Sequence, residues 1–490
     1  MFSLVRSKLT WLPTIAVLLV LFLVAATSLA TPMAFGQEVE PEDILNSRIP
    51  TQAQGGQAGS PSEGVAQGME IIGHNDLGGR GFNADVWVHE HAGGQIVAYV
   101  GQWGFGDSTH SDRCPSPPKS GVRVLDVTDP TNPEVIATLQ NPPQTTAEDV
   151  EVVRYSRGPF RGRDIALVGI QACFRLNPDT RRGLQLFDVT NPANPVEVGF
   201  LDTGVFARGV HEFTTVVRRD GIFAILAVPF SQIRDAAGRG DVRIADITNP
   251  ATPVEIADFH FVRDAGLPGS LEGFGCFPFN FAHGANVNEA GDMAFVSSFD
   301  LGTVILDISD PANPTFVGKT PYPANVEGDA HSADLSVDEG FLFQADEVIP
   351  PNSNCQAPDR HTEKSWGYVR VFNISDPASP VQVAAYRTPN SMSPNRMRKG
   401  DYSAHNPLVV GNKLWTSWYS DGVRVSDISD PTNPVEIAFV VPPAFKDPLH
   451  VLGFVPEVWG IVVDARGCGF ASDMNGGLFV VREVGNTTCR

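Results

Sequence analysis

The segment Val122–Pro133, with the sequence VRVLDVTDPTNP, decides the fold of this chain. Alternating apolar residues lead to Asp126, and Pro130 and Pro133 punctuate the stretch that follows. Alternation of this kind predicts a half-buried strand, and Asp with Pro predicts a tight turn. The apolar run after Pro133 predicts a returning strand, so the segment and its continuation form a β-hairpin.

The same hairpin recurs along the chain. Five further segments align with the first: Leu184–Pro195, Val242–Pro253, Val304–Pro314, Val369–Pro380 and Val423–Pro434. Two more strand-like runs precede each hairpin, and Asn406–Val410 with Leu414–Trp418 is the clearest pair. The unit is therefore four antiparallel strands in about 55 to 65 residues, which is typical of a β-propeller blade. We name its strands A, at the channel, to D, at the outer edge.

The two ends of the repeat region predict how the ring closes. Leu478–Arg482 reads as a seventh strand C, and no strand D follows it. Met69–Gly73 resembles the D strands, so we expect it to complete the last blade and remove the exposed edges. The predicted fold is an all-β, seven-bladed β-propeller of four-stranded antiparallel blades over residues 69–490. Six blades or an open solenoid are the alternatives.

The N-terminal region indicates export. Arg6 and Lys8 precede the apolar run Ile15–Ala26, and small residues follow. This layout predicts a signal peptide over residues 1–36, cleaved after Ala30 or Gly36. An uncleaved membrane anchor is the alternative. Residues 37–68 have few large apolar side chains and are expected to form a flexible linker. We expect a secreted or cell-surface protein, with no membrane span in the mature chain unless the N-terminal segment is retained.

Charge and motifs exclude several classes of function. The formal net charge of −21 repels nucleic acids and anionic membranes. The sequence contains no G-x-S-x-G elbow, no phosphate-binding G-x-x-x-x-G-K-S/T loop and no H-E-x-x-H helix. The expected partners are therefore an extracellular protein, a glycan or a small molecule, and not a nucleic acid.

The repeat resembles that of a known family. Strand, Asp, Ile/Val, Ser/Thr, Asp/Asn and Pro-x-x-Pro, as in Val423–Pro434, are similar to the LVIVD repeat of extracellular and cell-surface propellers. The resemblance covers Met69–Arg490 and implies the fold and the extracellular setting, but no single reaction. We expect the repeated Asp to cap its turn, because each turn offers too few oxygen ligands for calcium.

Six cysteines in an exported protein predict three disulfides. The loops assigned to the blades predict the pairs Cys114–Cys173, Cys276–Cys355 and Cys468–Cys489. Free thiols or a metal site are the alternative, which the lack of a C-x-x-C spacing disfavours.

Titratable residues recur where strand A begins. The aligned positions are Asp85, Asp149, His211, His283, His331, His405 and Glu457. Strand A lines the central channel of a propeller, so we expect these side chains to form a ring at its mouth. Four imidazoles with carboxylates nearby suit zinc, copper or iron. The alternative is that the ring only makes hydrogen bonds between blades.

Loops on the same face add a candidate ligand pocket. Its predicted residues are Trp103, Gln171, Asp346, Trp418 and Tyr419. Aromatic walls with a few polar groups suit a small molecule. The sequence favours an extracellular binding scaffold. The alternative is a metal-dependent enzyme, a hydrolase or an oxidase, with its His/Asp site at the mouth of the channel, and the catalytic residues stay unassigned.

Overall fold

The computed structural model describes residues 64–104, 114–173, 179–204, 207–235, 237–273, 278–323, 326, 328–348, 366–392, 400–446 and 453–490. The predicted signal peptide, most of the predicted linker, Cys276 and Cys355 lie outside these residues. No helix in the described part of the chain is long and apolar enough to cross a membrane.

Short strands dominate the described chain, as the Gly- and Pro-rich sequence predicts. Two strands come first: β1 (Val65–Gln67) and β2 (Met69–Asn75). Unit 1 follows, with β3 (Asn83–Glu90), β4 (Ile96–Gln102), β5 (Val122–Asp126) and β6 (Glu134–Leu139). Unit 2 contains β7 (Thr145–Arg154), β8 (Asp164–Ala172), β9 (Gly183–Asp188) and β10 (Val196–Asp202). Unit 3 contains β11 (Phe213–Val217), β12 (Ile222–Ala227), β13 (Val242–Asp246) and β14 (Val254–Phe259).

The remaining units repeat this order. Unit 4 contains β15 (Ala282–Val287), β16 (Met293–Ser298), β17 (Gly302–Asp307) and β18 (Thr315–Lys319). Unit 5 contains β19 (Ala330–Leu335), β20 (Phe341–Asp346), β21 (Val369–Asn373) and β22 (Val381–Tyr386). Unit 6 contains β23 (Pro407–Val410), β24 (Lys413–Ser417), β25 (Val423–Asp427) and β26 (Val435–Val441). Two short strands follow, β27 (Phe445–Lys446) and β28 (Phe454–Val455). Unit 7, the last unit, contains β29 (Val458–Val463), β30 (Gly469–Asp473) and β31 (Gly477–Glu483). Two short helices interrupt them: α1 (Ser231–Arg234) and α2 (Phe261–Ala265).

The all-β class and the four-stranded antiparallel sheets are confirmed. The prediction of separate blades is wrong for the first two units. Gln102 of β4 pairs with Ala147 of β7, so units 1 and 2 share one continuous eight-stranded sheet.

The N-terminal strand completes the last unit. β2 pairs with β31, from Met69 opposite Glu483 to Asn75 opposite Leu478, and the sheet order is β2-β31-β30-β29. The strand β1 lies inside the predicted linker and pairs with β26 at the edge of unit 6. The last residues of that linker are therefore part of a sheet.

The turns of the repeat are held by Asp, or by Asn373 in unit 5, as the sequence predicts. Asp126 Oδ1 accepts the N–H of Thr128 at 2.9 Å, and Asp307 Oδ1 accepts the N–H of Ser309 at 2.8 Å. These are Asx turns, in which a side-chain oxygen takes the place of a backbone acceptor.

Apolar layers join neighbouring units. Unit 1 packs on unit 7, for example, through Val86, Ala98, Phe470 and Val480. Strand β29 of unit 7 lies beside β3 of unit 1. The first strands of all successive units lie side by side in this way.

Two disulfides lie among the described residues. Cys114 is bonded to Cys173, and Cys468 is bonded to Cys489. Both are pairs that the loop assignment predicts. The first joins units 1 and 2 and the second ties the C-terminal residues to unit 7.

Candidate metal centre

A β-bulge at the start of the first strand of a unit sets the candidate site. In unit 4, Ala282 pairs with Ser298 and Gly284 pairs with Ser297, so His283 between them has no partner residue. In unit 5, His331 is skipped in the same way between Ala330 and Ser332. Bulges of this kind re-aim a side chain relative to the rest of its strand.

Two more histidines occupy the same place just before their strands. His211 donates its N–H to the carbonyl of Ala227, and the N–H of Ala227 donates to the carbonyl of Glu212. In the same pattern, His405 donates its N–H to the carbonyl of Ser417, and the N–H of Ser417 donates to the carbonyl of Asn406. Two residues opposite one is the hydrogen-bond signature of a bulge.

The four bulges bring four histidines into a continuous row. The ring centroids are 4.1 Å apart for His211 and His283, and 3.9 Å apart for His283 and His331 and again for His331 and His405. His211 Nε2 and His283 Nε2 are 2.7 Å apart. All four side chains are buried. We call this set the histidine arc.

Three glutamates border the histidine arc. Glu148 Oε2 lies 2.5 Å from His211 Nδ1. Glu212 Oε1 lies 3.7 Å from His283 Nδ1 and 3.8 Å from His331 Nε2. Glu347 Oε2 lies 3.7 Å from His331 Nε2, and its other oxygen accepts a hydrogen bond from the Tyr419 hydroxyl.

Burial favours the neutral form of three of these imidazoles, His283, His331 and His405. It lowers the pKa of His283 and His331 well below the ordinary value, and the neighbouring histidines lower it further. The pKa of His405 falls to about 3 for the same reason. Burial also raises the pKa of Glu212, with nearby Asp149 adding to the effect, and raises that of Glu347 to about 8. Neutral imidazoles carry the lone pairs that metal ions bind.

The ring predicted from the sequence is displaced by one residue in unit 2. Glu148, not Asp149, follows the paired residue Ala147 as His283 follows Ala282. Asp149 instead accepts the backbone N–H of Phe213 at 2.8 Å.

Units 1 and 7 differ from the prediction too. In unit 1 the residue after paired Asn83 is Ala84, and Asp85 lies one position further along and accepts its neighbour's N–H, from Val86, at 2.9 Å. In unit 7 the skipped residue is Trp459, whose ring lies 4.5 Å from that of His405. Glu457 lies outside the ring and accepts a hydrogen bond from Ser420 at 3.0 Å.

A second tier of side chains borders the arc, at the end of the second strand of each unit. Phe299 stacks on His283, with centroids 5.0 Å apart and planes at 8°. Tyr419 lies edge-on to His405 at 4.9 Å. Trp103 lies 5.6 Å from Trp459. The predicted pocket residues Trp103 and Tyr419 are thus beside the arc.

Two predicted pocket residues are engaged elsewhere. Asp346 Oδ2 accepts from Arg370 Nε at 2.6 Å, and Trp418 Nε1 donates to the carbonyl of Tyr402 at 2.7 Å within an apolar cluster. Aligning the repeats in the sequence did not identify Glu347 and Phe299 as site residues. Each is the first residue after the second strand of its unit, so the residue after each second strand is the position to examine.

A second His/Asp group lies between units 1 and 2. Asp164 Oδ1 lies 3.1 Å from His89 Nε2, and Asp164 Oδ2 lies 2.9 Å from His91 Nδ1. Arg154 also donates to both oxygens of Asp164, at 2.8 and 2.7 Å. The guanidinium already supplies the positive charge that a cation would bring, so we interpret this group as a clasp between the units.

A comparison with known protein families identifies the repeat. The LVIVD repeat family matches residues 179–203 and 284–320. The chain carries the LVIVD repeat. The second match begins directly after His283 and spans most of unit 4, so these LVIVD residues form the scaffold that carries one member of the arc.

Solved structures resemble this chain only at low sequence identity. No curated protein matches the sequence significantly. The periplasmic gluconolactonase PpgL of Pseudomonas aeruginosa is similar at a TM-score of 0.48 and 11% identity, over 76% of this chain and 90% of that chain. A hypothetical selenium-binding protein of Sulfolobus tokodaii is similar at a TM-score of 0.42 and 11% identity, over 61% and 64%.

Proposed function

We propose that this protein is an exported, seven-bladed LVIVD-repeat propeller whose histidine arc binds one transition-metal ion and uses it in catalysis on a small molecule. The observation that carries the proposal is the row of four buried histidines in mutual contact. The closed ring is supported by the pairing of β2 with β31 and by the packing of unit 7 on unit 1.

The donor set favours a borderline transition metal. Imidazole ligands suit zinc, copper and iron, and the described centre contains no thiolate. Metal–nitrogen bonds of about 2.0 to 2.1 Å place neighbouring ligand nitrogens roughly 3 Å apart. The 2.7 Å between His211 Nε2 and His283 Nε2 is close to that spacing.

The glutamates fit an outer shell. A carboxylate that accepts the second ring N–H of a metal-bound histidine fixes the tautomer and strengthens the ligand. Glu148 occupies this place at His211 Nδ1. Glu212 and Glu347 lie within 4 Å of the next two histidines and would compensate the charge of the ion.

The histidines come from four successive units, so they would hold an ion from one side. The bulge of unit 1 holds the methyl group of Ala84 and the carboxylate of Asp85, which accepts a hydrogen bond from Asn406. An ion held from one side can accept water or substrate at its remaining positions and act as a Lewis acid or redox centre. This supports the hydrolase or oxidase alternative over a purely structural ion.

Elemental analysis of protein purified without a His-tag tests the proposal. We expect about one equivalent of zinc, copper or iron, lost in the folded variant His283→Ala/His331→Ala. The variant His89→Ala/His91→Ala is the matched control and should keep its metal. Wild-type protein without stoichiometric metal would refute the centre.

A metal-free result would favour the second candidate, an extracellular interaction scaffold, which rests on the LVIVD repeat and the disulfides. Export itself is tested by N-terminal sequencing of the protein released by its host. We expect the mature chain to begin after Ala30 or Gly36. Retention of residues 1–36 would favour the membrane anchor.

A further inference from the structure

We propose that Thr146 and Gln171 form a subsite that binds a neutral hydrogen-bonding group of the substrate, such as a carboxamide, a hydroxyl or a carbonyl. The inference rests on the proposed metal centre for the role of the subsite, since it names the class of molecule that the centre acts on. It does not depend on which metal is bound.

The two side chains are neighbours with no internal partner. Thr146 of β7 pairs directly with Gln171 of β8, so their side chains lie on the same face of the sheet. Each is 1% exposed. Thr146 Oγ1, Gln171 Oε1 and Gln171 Nε2 have no hydrogen-bond partner among the described residues.

Such a pair is costly unless something binds it. A buried polar group without a partner loses its hydration and gains nothing in return. The chain thus keeps three unsatisfied polar atoms side by side. A ligand that offers both a donor and an acceptor would satisfy them together.

The pair lies at one end of the histidine arc. Glu148, which touches His211, is two residues beyond Thr146 on the same strand, in the bulge that follows Ala147. Gln171 forms a β-bridge with Gly209, two residues before His211. A group bound by Thr146 and Gln171 would thus lie at the His211 end of the arc, on the side of Glu148.

Aromatic side chains extend from the start of β7 to the other end of the arc. Gln102 pairs with Ala147, which places the following residue, Trp103, beside the start of β7. Trp103 contacts Phe82 at 5.5 Å and Trp459 at 5.6 Å, and Trp459 reaches His405 at the other end of the arc. An apolar or aromatic body would pack here.

The charges around Thr146 and Gln171 favour a ligand whose hydrogen-bonding group is neutral. The amide and the hydroxyl carry no charge to neutralise an ionic ligand. Glu148 lies two residues further along β7, and its carboxylate would repel a carboxylate or a phosphate. The substrate class is therefore a neutral aromatic or apolar molecule with one hydrogen-bonding group.

Binding of small probes tests the subsite. Benzamide, benzyl alcohol, benzoate and toluene are titrated by ligand-observed NMR against the full exported chain and against Gln171→Met, Thr146→Val and the double variant. We expect benzamide or benzyl alcohol to bind the wild type at least tenfold more tightly than toluene or benzoate. The double variant should lose at least tenfold of this affinity and keep its metal content.

Stability separates a binding role from a structural one. Gln344→Met is the matched control, because Gln344 is fully buried and donates to Tyr322 and Asp346 at 2.8 and 2.9 Å. We expect this control to lower the unfolding midpoint, whereas Gln171→Met and Thr146→Val leave it unchanged or raise it.

Three results would overturn the subsite. They are equal probe affinities in wild type and double variant, no probe binding to the wild type, and destabilisation of the double variant to the extent seen for Gln344→Met. Metal content is measured on the same samples. Probe discrimination without metal would refute the metal centre alone, and metal without discrimination would refute the subsite alone.

Discussion

Glu148 Oε2 lies 2.5 Å from His211 Nδ1; Glu148 belongs to the first strand of unit 2, and His211 lies just before the first strand of unit 3. The carboxylate thus fixes one end of the histidine arc from a neighbouring sheet. Since it touches the ring nitrogen opposite Nε2, it can direct the Nε2 lone pair toward a shared ion.

The change Glu148→Gln should weaken metal binding by about 10- to 100-fold, the usual effect of losing an outer-shell carboxylate. Competition with a chromophoric chelator measures the affinity. Glu151→Gln is the control, because Glu151 Oε2 accepts the N–H of Thr215 at 2.8 Å and has no contact with a histidine of the arc. An equal loss in both variants would contradict a specific role for Glu148.

The change Gly284→Ala should disturb the arc by steric pressure. A Cβ at this position would meet Glu212 Oε2, and would lie 2.9 Å from the carbonyl oxygen of His331. We expect metal affinity to fall severalfold and the free energy of unfolding to fall by about 1 to 3 kcal/mol.

The control for that variant is Gly340→Ala. There the nearest atom to the added Cβ, Asp338 Oδ1, is 3.5 Å away, which is an ordinary contact. Denaturant unfolding and metal titration are compared for both variants. Wild-type metal affinity in Gly284→Ala would show that Glu212 moves without consequence for the ion.

Acid should release the clasp between units 1 and 2. Burial alone would raise the pKa of Asp164, but hydrogen bonds from His89, His91 and Arg154 outweigh it and hold that pKa far below the ordinary value. A carboxylate with a depressed pKa stabilises the fold above its unfolded pKa of about 4, and this stabilisation is lost as the pH falls toward the folded value.

We therefore expect the free energy of unfolding of the wild type to drop more steeply between pH 5 and pH 2.5 than that of Asp164→Asn. Urea unfolding at a series of pH values gives both slopes. Asp334→Asn serves as comparison, because burial raises the pKa of Asp334 and its acid dependence has the opposite sign. Parallel curves for wild type and Asp164→Asn would refute the clasp.

Asn486-Thr487-Thr488 matches the N-x-S/T acceptor pattern for N-glycosylation, and we expect Asn486 to stay unmodified in the folded chain. Asn486 Nδ2 donates to the carbonyls of Arg466 and Gly467 at 3.1 and 3.0 Å, and its Oδ1 accepts from Thr488 and Cys489. Asn486→Ala should lower stability by about 1 to 3 kcal/mol, since it leaves these groups without partners. Thr487→Ala, at an exposed position, should not. Intact mass shows a glycan, and its presence on Asn486 would contradict the expectation.

The repeat made much of the fold predictable. Each hairpin carries its own turn signal, so residues such as Asp307 could be placed from local chemistry alone. The pairing of Met69–Asn75 with the last unit followed from counting strands. The shared sheet of units 1 and 2 left no such signal, because it depends on the single pair Gln102 and Ala147.

The candidate site was predictable only to within one residue. The aligned repeats placed four histidines at equivalent positions, and the structure brings them together, but the bulge that carries them shifts the register by one. Asp149 was therefore predicted where Glu148 lies, and Asp346 where Glu347 reaches the arc. In a strand one residue changes the face, so pattern alone cannot separate such neighbours.

The pairing of β2 with β31 also sets an order of events during synthesis. Residue 75 leaves the ribosome about 400 residues before residue 483, a delay of roughly 20 to 80 s at 5 to 20 residues per second. Throughout that interval β2 lacks its partner β31, and the sheet of unit 7 cannot form. A product truncated before Gly477 lacks β31, so β2 stays exposed as an unpaired edge strand. Chaperones and proteases can recognise such an edge, and incomplete chains are therefore distinguished from complete ones.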